Sequence, residues 1–381
     1  MQKRHFHSYD AFRFFAFFKV YIFHATAIVV AAEGSLLEWI KKHPAFGGGI
    51  GVSFFFVLSG FLITYILAWE KIQAGKISLG KFFLRRAFRI WPLFLALVAL
   101  AFLIPYDTTE AIGFHMNGGG YDPDWRYSFT FLENYKTIAM DTIPKTTPLS
   151  VFWSLCIEEH FYIVWMFVFF LIPRKWIPWY LLSAIIVAIV LRINHDEIYA
   201  TQNVVNNDLF TNLDYFALSG LLGYFVALKG EKVEALILRI PLALRITYVA
   251  LLVAALFWQD VLFNYDTAFY RYFKCTLYAL LFTILLAFFL PSSGPLKIGE
   301  KNILTRLGKI SYGLYVFHIV WIHVVYQYCL NHGIKIDTLT KYGIYMTLTF
   351  AGTLITSWLS WKLFEKPILN LRERWFGSKG F

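Results

Sequence analysis

Residues 11–32 read AFRFFAFFKVYIFHATAIVVAA, an apolar run interrupted by Arg13, Lys19 and one imidazole, His24. As a helix, a run of this length extends about 33 Å, enough to cross a hydrocarbon core of about 30 Å. No small-residue cleavage site and polar mature sequence follow it, so it reads as a retained span and not as a signal peptide. Runs of this kind recur from end to end. Of the 381 residues, 58% are hydrophobic and 15% charged, whereas soluble chains are about half apolar and about a quarter charged. Mean hydropathy is positive. The sequence predicts an all-α, polytopic membrane helical bundle.

Ten spans are expected near residues 11–32, 49–69, 90–105, 151–172, 177–193, 209–228, 241–258, 271–290, 310–330 and 341–361. With the N-terminus inside, the segments on that side carry 23 of the 35 Lys and Arg residues. The opposite segments carry ten, and Arg13 and Lys19 lie within the first span. Cationic loops stay in the cytoplasm, so both termini are expected to be cytoplasmic. The formal charge of +11 then reflects loops beside anionic lipid, and no nucleic-acid partner is expected. Trp91, Trp176, Trp179, Tyr180, Trp358 and Trp361 sit at span ends, as interfacial anchors do. Cys156, Cys275 and Cys329 have no spacing that suggests a metal site or a disulfide framework.

An outer stretch from Pro105 to Leu149 reads as one long loop without a clear element. It contains Gly118-Gly119-Gly120 and Tyr121-Asp122-Pro123-Asp124-Trp125. Loops of this length inside compact domains usually carry function. No internal repeat is visible. Residues 1–381 are expected to form one integral-membrane domain with no appended soluble domain.

Titratable groups inside spans are costly and mark functional sites, although many simply tie helices together. Arg13 and His24 are eleven residues apart and share a helical face, with Asp10 within about 40°. Glu33 would fall on the opposite face of a continuous helix, but Gly34 follows it and can end the helix, letting Glu33 turn inward. Arg85, Arg86 and Arg89 put guanidinium groups three and four residues apart on one face at the cytoplasmic boundary, a geometry suited to clamping phosphates. The same cluster would also serve as a positive-inside stop. Ser154, Glu158 and Tyr162 follow at i, i+4 and i+8, with Glu159 and His160 alongside. Two carboxylates and an imidazole are hard to justify there as packing. Ser311, Tyr315 and His318 form a further stripe, and Asp214 opens the sixth span; both fit inter-helix hydrogen bonding equally well.

In this order the blocks resemble the membrane acyltransferase-3 family. They are Asp10-Ala11-Phe12-Arg13 with Phe23-His24, the run from Gly51 to Ile63, Arg85 to Pro92, Trp153-Ser154-Leu155 with Glu158-Glu159 and Phe161-Tyr162, and Ser311-Tyr312 with Leu314-Tyr315 and His318. The chain departs from the family in His160, where Gln is common, and in Phe12 and Phe14, where Gly is common. The resemblance implies a membrane O-acyltransferase that moves an acyl group, commonly acetyl, from cytoplasmic acyl-CoA to hydroxyls of sugars or other acceptors outside. It assigns the catalytic base to His24, the acyl-CoA contacts to Arg86 and Arg89, and the first-span acidic residue to Glu33. It also implies a bacterial inner membrane and cell-envelope polysaccharide modification. Many relatives carry an additional esterase-like domain.

Residue chemistry and resemblance suggest one division of labour. Arg85, Arg86 and Arg89 would clamp the CoA phosphates, and Arg13 would hold the pantetheine or polarise the carbonyl. His24 would deprotonate the acceptor hydroxyl, because an unperturbed imidazole titrates near neutrality. Glu33, Glu158 and Glu159 would orient His24 or bind the acceptor. Ser154, Tyr162, Asp214, Tyr315 and His318 are expected to line the substrate site. A ping-pong route with the acyl group on Ser154 or His24 also fits. No tightly bound cofactor and no metal are expected; acyl-CoA is a substrate, and a saccharide or glycolipid is the expected acceptor. The rival reading is a proton-coupled transporter using the same buried His and Glu residues. A helical scaffold would leave the polar stripes unexplained.

Overall fold

The computed structural model describes residues 4–114, 123–142, 147–194, 207–262 and 267–376. They form helices and connecting turns, with no strand among the described residues. In an apolar solvent each backbone N–H and C=O must be satisfied within its own segment, and the helix does this for a single span. The long helices are α1 (His7–Ala27), α2 (Gly49–Ala74), α3 (Leu79–Leu103), α4 (Phe152–Leu171), α5 (Ile177–Ile193), α6 (Leu213–Leu238), α7 (Leu242–Phe257), α8 (Ala268–Phe288), α9 (Ser311–Asn331) and α10 (Leu339–Ser360).

Among the described residues, six helical segments are long and apolar enough to cross a membrane. They are α2, α3, α4, α5 with its preceding turn, α8 and α9; a seventh arises if α6 and α7, bent by 94° at their junction, count as one broken span. The chain is therefore a membrane protein built from helices. Two boundaries differ from expectation in ways that matter. Helix α1 stops at Ala27 and not near residue 32. Helix α3 begins at Leu79, eleven residues before the expected span, so Arg85, Arg86 and Arg89 lie inside it. The outer stretch expected to be irregular contains three short helices, Tyr106–Ala111, Trp125–Phe129 and Glu133–Ala139. Gly118, Gly119, Gly120, Tyr121 and Asp122 lie outside the described residues.

The helices divide into two compact units. One gathers Met1–Phe23, Trp39–Ile77 and His160–Lys309; the other gathers His24–Glu38, Ser78–Glu159 and Ile310–Phe381. In the first, α2 and α6 approach at two glycines. A Cβ on Gly60 would lie 2.5 Å from the Phe216 carbonyl, and one on Gly223 would lie 2.5 Å from that of Phe61. Small residues let backbones come this close, which is how membrane helices gain contact without a hydrophobic drive between them. The Trp165 indole donates to Thr64 Oγ1 over 2.9 Å, and the Phe161 and Phe216 rings stack at 4.0 Å.

In the second unit, α9 and α10 pack with Gly352 beneath the Trp321 indole, whose Nε1 donates to Thr356 Oγ1 over 2.9 Å. Helix α3 carries Pro92, which has no N–H to donate. One turn of π-helix, Trp361–Glu365, follows α10; such turns recur at functional sites.

Candidate active site

His24 sits three residues before the end of α1, with its ring centroid 5.3 Å from that of His318 on α9 and the two rings tilted by 50°. The α1 end is held by Thr26, which shares a 2.7 Å hydrogen bond with Tyr342 of α10. His318 is fully buried. Its Nδ1 lies 2.5 Å from the Tyr315 carbonyl oxygen. A carbonyl can only accept, so Nδ1 carries the hydrogen, and the lone pair of the neutral ring resides on Nε2. His323 lies near enough to act electrostatically on both rings. Its own ring stacks on Phe114 at 4.7 Å, and its Nδ1 donates to the Ile319 carbonyl.

The next layer comes from α4 and α9. Ser154 and Tyr315, both buried, share a 2.6 Å hydrogen bond between hydroxyls. Ser154 Oγ also lies 3.0 Å from the Val151 carbonyl. One turn along α4, half-buried Glu158 acts electrostatically on Tyr315. Glu159 is 5% exposed and accepts a 3.0 Å hydrogen bond at Oε2 from the Trp91 indole of α3. Its other oxygen has no hydrogen-bond partner among the described residues.

Arg86 lies close enough for its charge to act on Glu159, and Arg89 acts in the same way on Glu365 in the π-helical turn. Arg85, Arg86 and Arg89 are half-buried. Two of the three cations expected at the cytoplasmic edge thus have a carboxylate near them. Burial, opposed by a Ser360 hydrogen bond and by Arg89, pushes the Glu365 carboxyl up from the ordinary carboxylate range.

The surroundings of the remaining expected site residues differ from one to the next. Glu33 is exposed on a turn beyond α1, where Gly34 takes a φ of +72° and its N–H donates to Glu38. The helix does end before Glu33, at Ala27, but the side chain stays exposed and does not turn inward. Arg13, in the first unit, bonds Asp10 Oδ1 at 2.5 Å. Tyr162, also there, is buried with its ring beside Phe161. Asp214, in the same unit, accepts from Arg192 Nη2 at 2.6 Å and from Thr276 Oγ1 at 2.6 Å, while Arg192 also donates to the Tyr272 and Thr211 carbonyls. Both side chains are wholly buried. This closed network ties helices together.

His323, Trp91 and Glu365 were not anticipated. His323 is five residues from His318, a spacing that leaves the helical face, and Trp91 looks from sequence like an interfacial anchor.

The structure thus defines a helical membrane protein that gathers imidazoles, hydroxyls and a buried carboxyl in one of its two units. The family model described as an acyltransferase domain, that of the acyltransferase-3 family, matches residues 6–358, and the chain belongs to this family. It is 26% identical over 387 residues to the O-acetyltransferase OatA of Staphylococcus aureus (strain NCTC 8325 / PS 47), covering 98% of this chain and 58% of that protein. It is 27% identical over 369 residues to a putative O-acetyltransferase of Staphylococcus aureus (strain COL), covering 89% of this chain and 55% of that one. The chain therefore spans little more than half the length of these relatives. No solved structure gives a significant match.

Proposed function

We propose that this protein is a membrane O-acyltransferase that moves an acyl group, acetyl by analogy with its named relatives, from cytoplasmic acyl-CoA to a hydroxyl of an extracytoplasmic saccharide or glycoconjugate. The observation that carries the reading is the apposition of His24 and His318 at 5.3 Å. In this reading all ten long helices span, both termini are cytoplasmic, and the bacterial inner membrane is the location. The 23-to-10 distribution of basic residues supports that orientation.

His24 accepts the proton of the acceptor hydroxyl, and the oxygen attacks the thioester carbonyl. The tetrahedral intermediate then expels the CoA thiolate, which takes up the proton. His318, neutral with its hydrogen on Nδ1, orients His24. Arg85, Arg86 and Arg89 bind the CoA phosphates, because guanidinium groups pair with phosphate bidentately. Glu158 and Glu159 position the acceptor. Ser154 and Tyr315 line the path as a hydrogen-bonded pair.

The test is CoA-thiol release by purified protein in detergent, given acetyl-CoA and a panel of saccharides, with His24→Ala in parallel. Acceptor-dependent release that is lost in the variant is the expected result. Full transfer by His24→Ala would remove the base. Absence of both release and acetyl-CoA binding, with proton-coupled uptake into liposomes, would replace the enzyme by a transporter.

A further inference from the structure

We propose that His5, His7 and Asp10 bind a divalent transition-metal ion of the Zn²⁺ type at the start of α1. This inference stands apart from the acyltransferase reading. Each of the three residues offers one donor atom within 4.8 Å of the other two, and among the described residues no other group of three His, Cys, Asp or Glu side chains meets that test. The His5 and His7 ring centroids are 4.4 Å apart, and His5 Nε2 lies 3.0 Å from Asp10 Oδ2. His7 keeps Nδ1 buried with no hydrogen-bond partner among the described residues. An orphaned buried polar atom is costly, and coordination, directly or after a ring flip, removes that cost.

The donor set also has the right chemistry. Two imidazoles and one carboxylate suit Zn²⁺, Co²⁺ or Ni²⁺ and are poor ligands for Mg²⁺ or Ca²⁺. Tetrahedral Zn²⁺, bound at about 2.1 Å, needs donors about 3.4 Å apart; the widest separation is at most 4.8 Å and must close by up to about 1.4 Å, whereas His5 and Asp10 are already 3.0 Å apart. His5 can supply the movement: its side chain is 64% exposed and it precedes the helix. Asp10 is already held at its other oxygen by Arg13. Ligating carboxylates are commonly fixed in this way by an outer partner. Glu300, whose charge acts on His7, adds a negative group beside the two imidazoles, and Lys309 partly offsets it.

A cavity of about 470 Å³, lined by His5, His7, Ser8, Arg4, Glu234 and Lys297 among others, adjoins the cluster. It leaves room for a fourth ligand, water or an anion. The metal would fasten the segment before α1 to that helix's first turn. The intervening Phe6 already stacks on Tyr9 at 5.2 Å and sets its edge against Phe61 and Tyr65.

The experiment uses the full chain in detergent, stripped of metal. Zn²⁺ is titrated against a chromogenic chelator, and Co²⁺ is followed by its visible d–d bands, for wild type, His5→Gln and His7→Gln. One ion per chain is expected, with a higher Tm on loading and at least tenfold weaker binding in each variant. His5→Gln changes an exposed side chain, so an unaltered metal-free Tm separates loss of the site from loss of the fold. Equal Zn²⁺ affinity and stoichiometry in wild type and both variants would overturn the proposal. So would competition by Mg²⁺ at the concentrations at which Zn²⁺ binds.

Discussion

The Trp91 indole donates a 3.0 Å hydrogen bond to Glu159, and the ring that donates it is clamped by aromatic neighbours. Phe83 meets it in a T-shaped contact at 5.3 Å, and Phe131, between α3 and α4, lies 5.4 Å away. Phe131 adopts a φ of 58°, a left-handed conformation that is unfavourable for a bulky L-residue. It is retained because its ring also stacks on Phe94 at 4.1 Å. A strained residue between α3 and α4 thus packs on the indole that holds a buried carboxyl group.

Trp91→Phe keeps the ring and removes the donor. A hydrogen bond to a buried carboxyl contributes about 1–3 kcal/mol, so acyl-transfer kcat is expected to fall roughly ten- to hundredfold. Thiol-release kinetics, with Tm recorded to exclude unfolding, measure this. An unchanged kcat would mean that the orientation of Glu159 is irrelevant to the reaction.

The 2.6 Å bond between Ser154 and Tyr315 discriminates between direct transfer and an acyl-enzyme. Under direct transfer, Ser154→Ala and Tyr315→Phe each lower stability by about 1 kcal/mol, and the double variant is less than additive because one bond is lost three times over. Transfer persists at a reduced rate in Ser154→Ala. Loss of all transfer, with trapped acyl label also abolished, would make Ser154 the nucleophile.

Hydropathy located the long helices, because spans need about 20 apolar residues and few other segments have them. It was less informative about polar groups, whose partners lie far along the chain. Asp214 reads from sequence as a site carboxylate, and its partner Arg192 lies 22 residues away. Arg192 closes a helix, and sequence gives the end of a helix but not the direction of its side chain. Trp91 carried an interfacial signal and serves as a donor. The two stripes are legible from their spacing, and Ser154, Glu158, Ser311, Tyr315 and His318 share one unit whereas Tyr162 belongs to the other. Glu33 was misplaced because Gly34 signals a turn and not which way the preceding side chain points.

Arg192 and Asp214 give a stability prediction. Arg192→Met leaves the Asp214 carboxylate buried without its counter-ion, which costs about 3–5 kcal/mol. Asp214→Leu combined with Arg192→Met removes both charges and should recover much of that loss. Thermal unfolding in detergent reports both effects, and a double variant no more stable than the single one would contradict the closed-network account.

Glu133 is expected to make the segment 133–139 sensitive to pH. It opens the helix Glu133–Ala139, is wholly buried, and accepts a 2.7 Å hydrogen bond from Ser128. Burial pushes its carboxyl up to about 7 from an ordinary 4.5, with Lys136 opposing the shift. Between those values the folded state holds a proton that the unfolded chain releases. The resulting stabilisation is full below about pH 4.5 and is lost as pH rises through about 7, a change of about 3 kcal/mol. Amide exchange across residues 133–139, corrected for intrinsic rates, should therefore show stronger protection on the acid side of this window and weaker protection on the alkaline side. Glu133→Gln cannot ionise and should flatten the profile. The loosened segment follows Phe131, which packs against Trp91, so the same alkaline transition should lower kcat in the wild type and spare the variant. A wild-type profile as flat as that of the variant would mean that Glu133 stays ionised when folded.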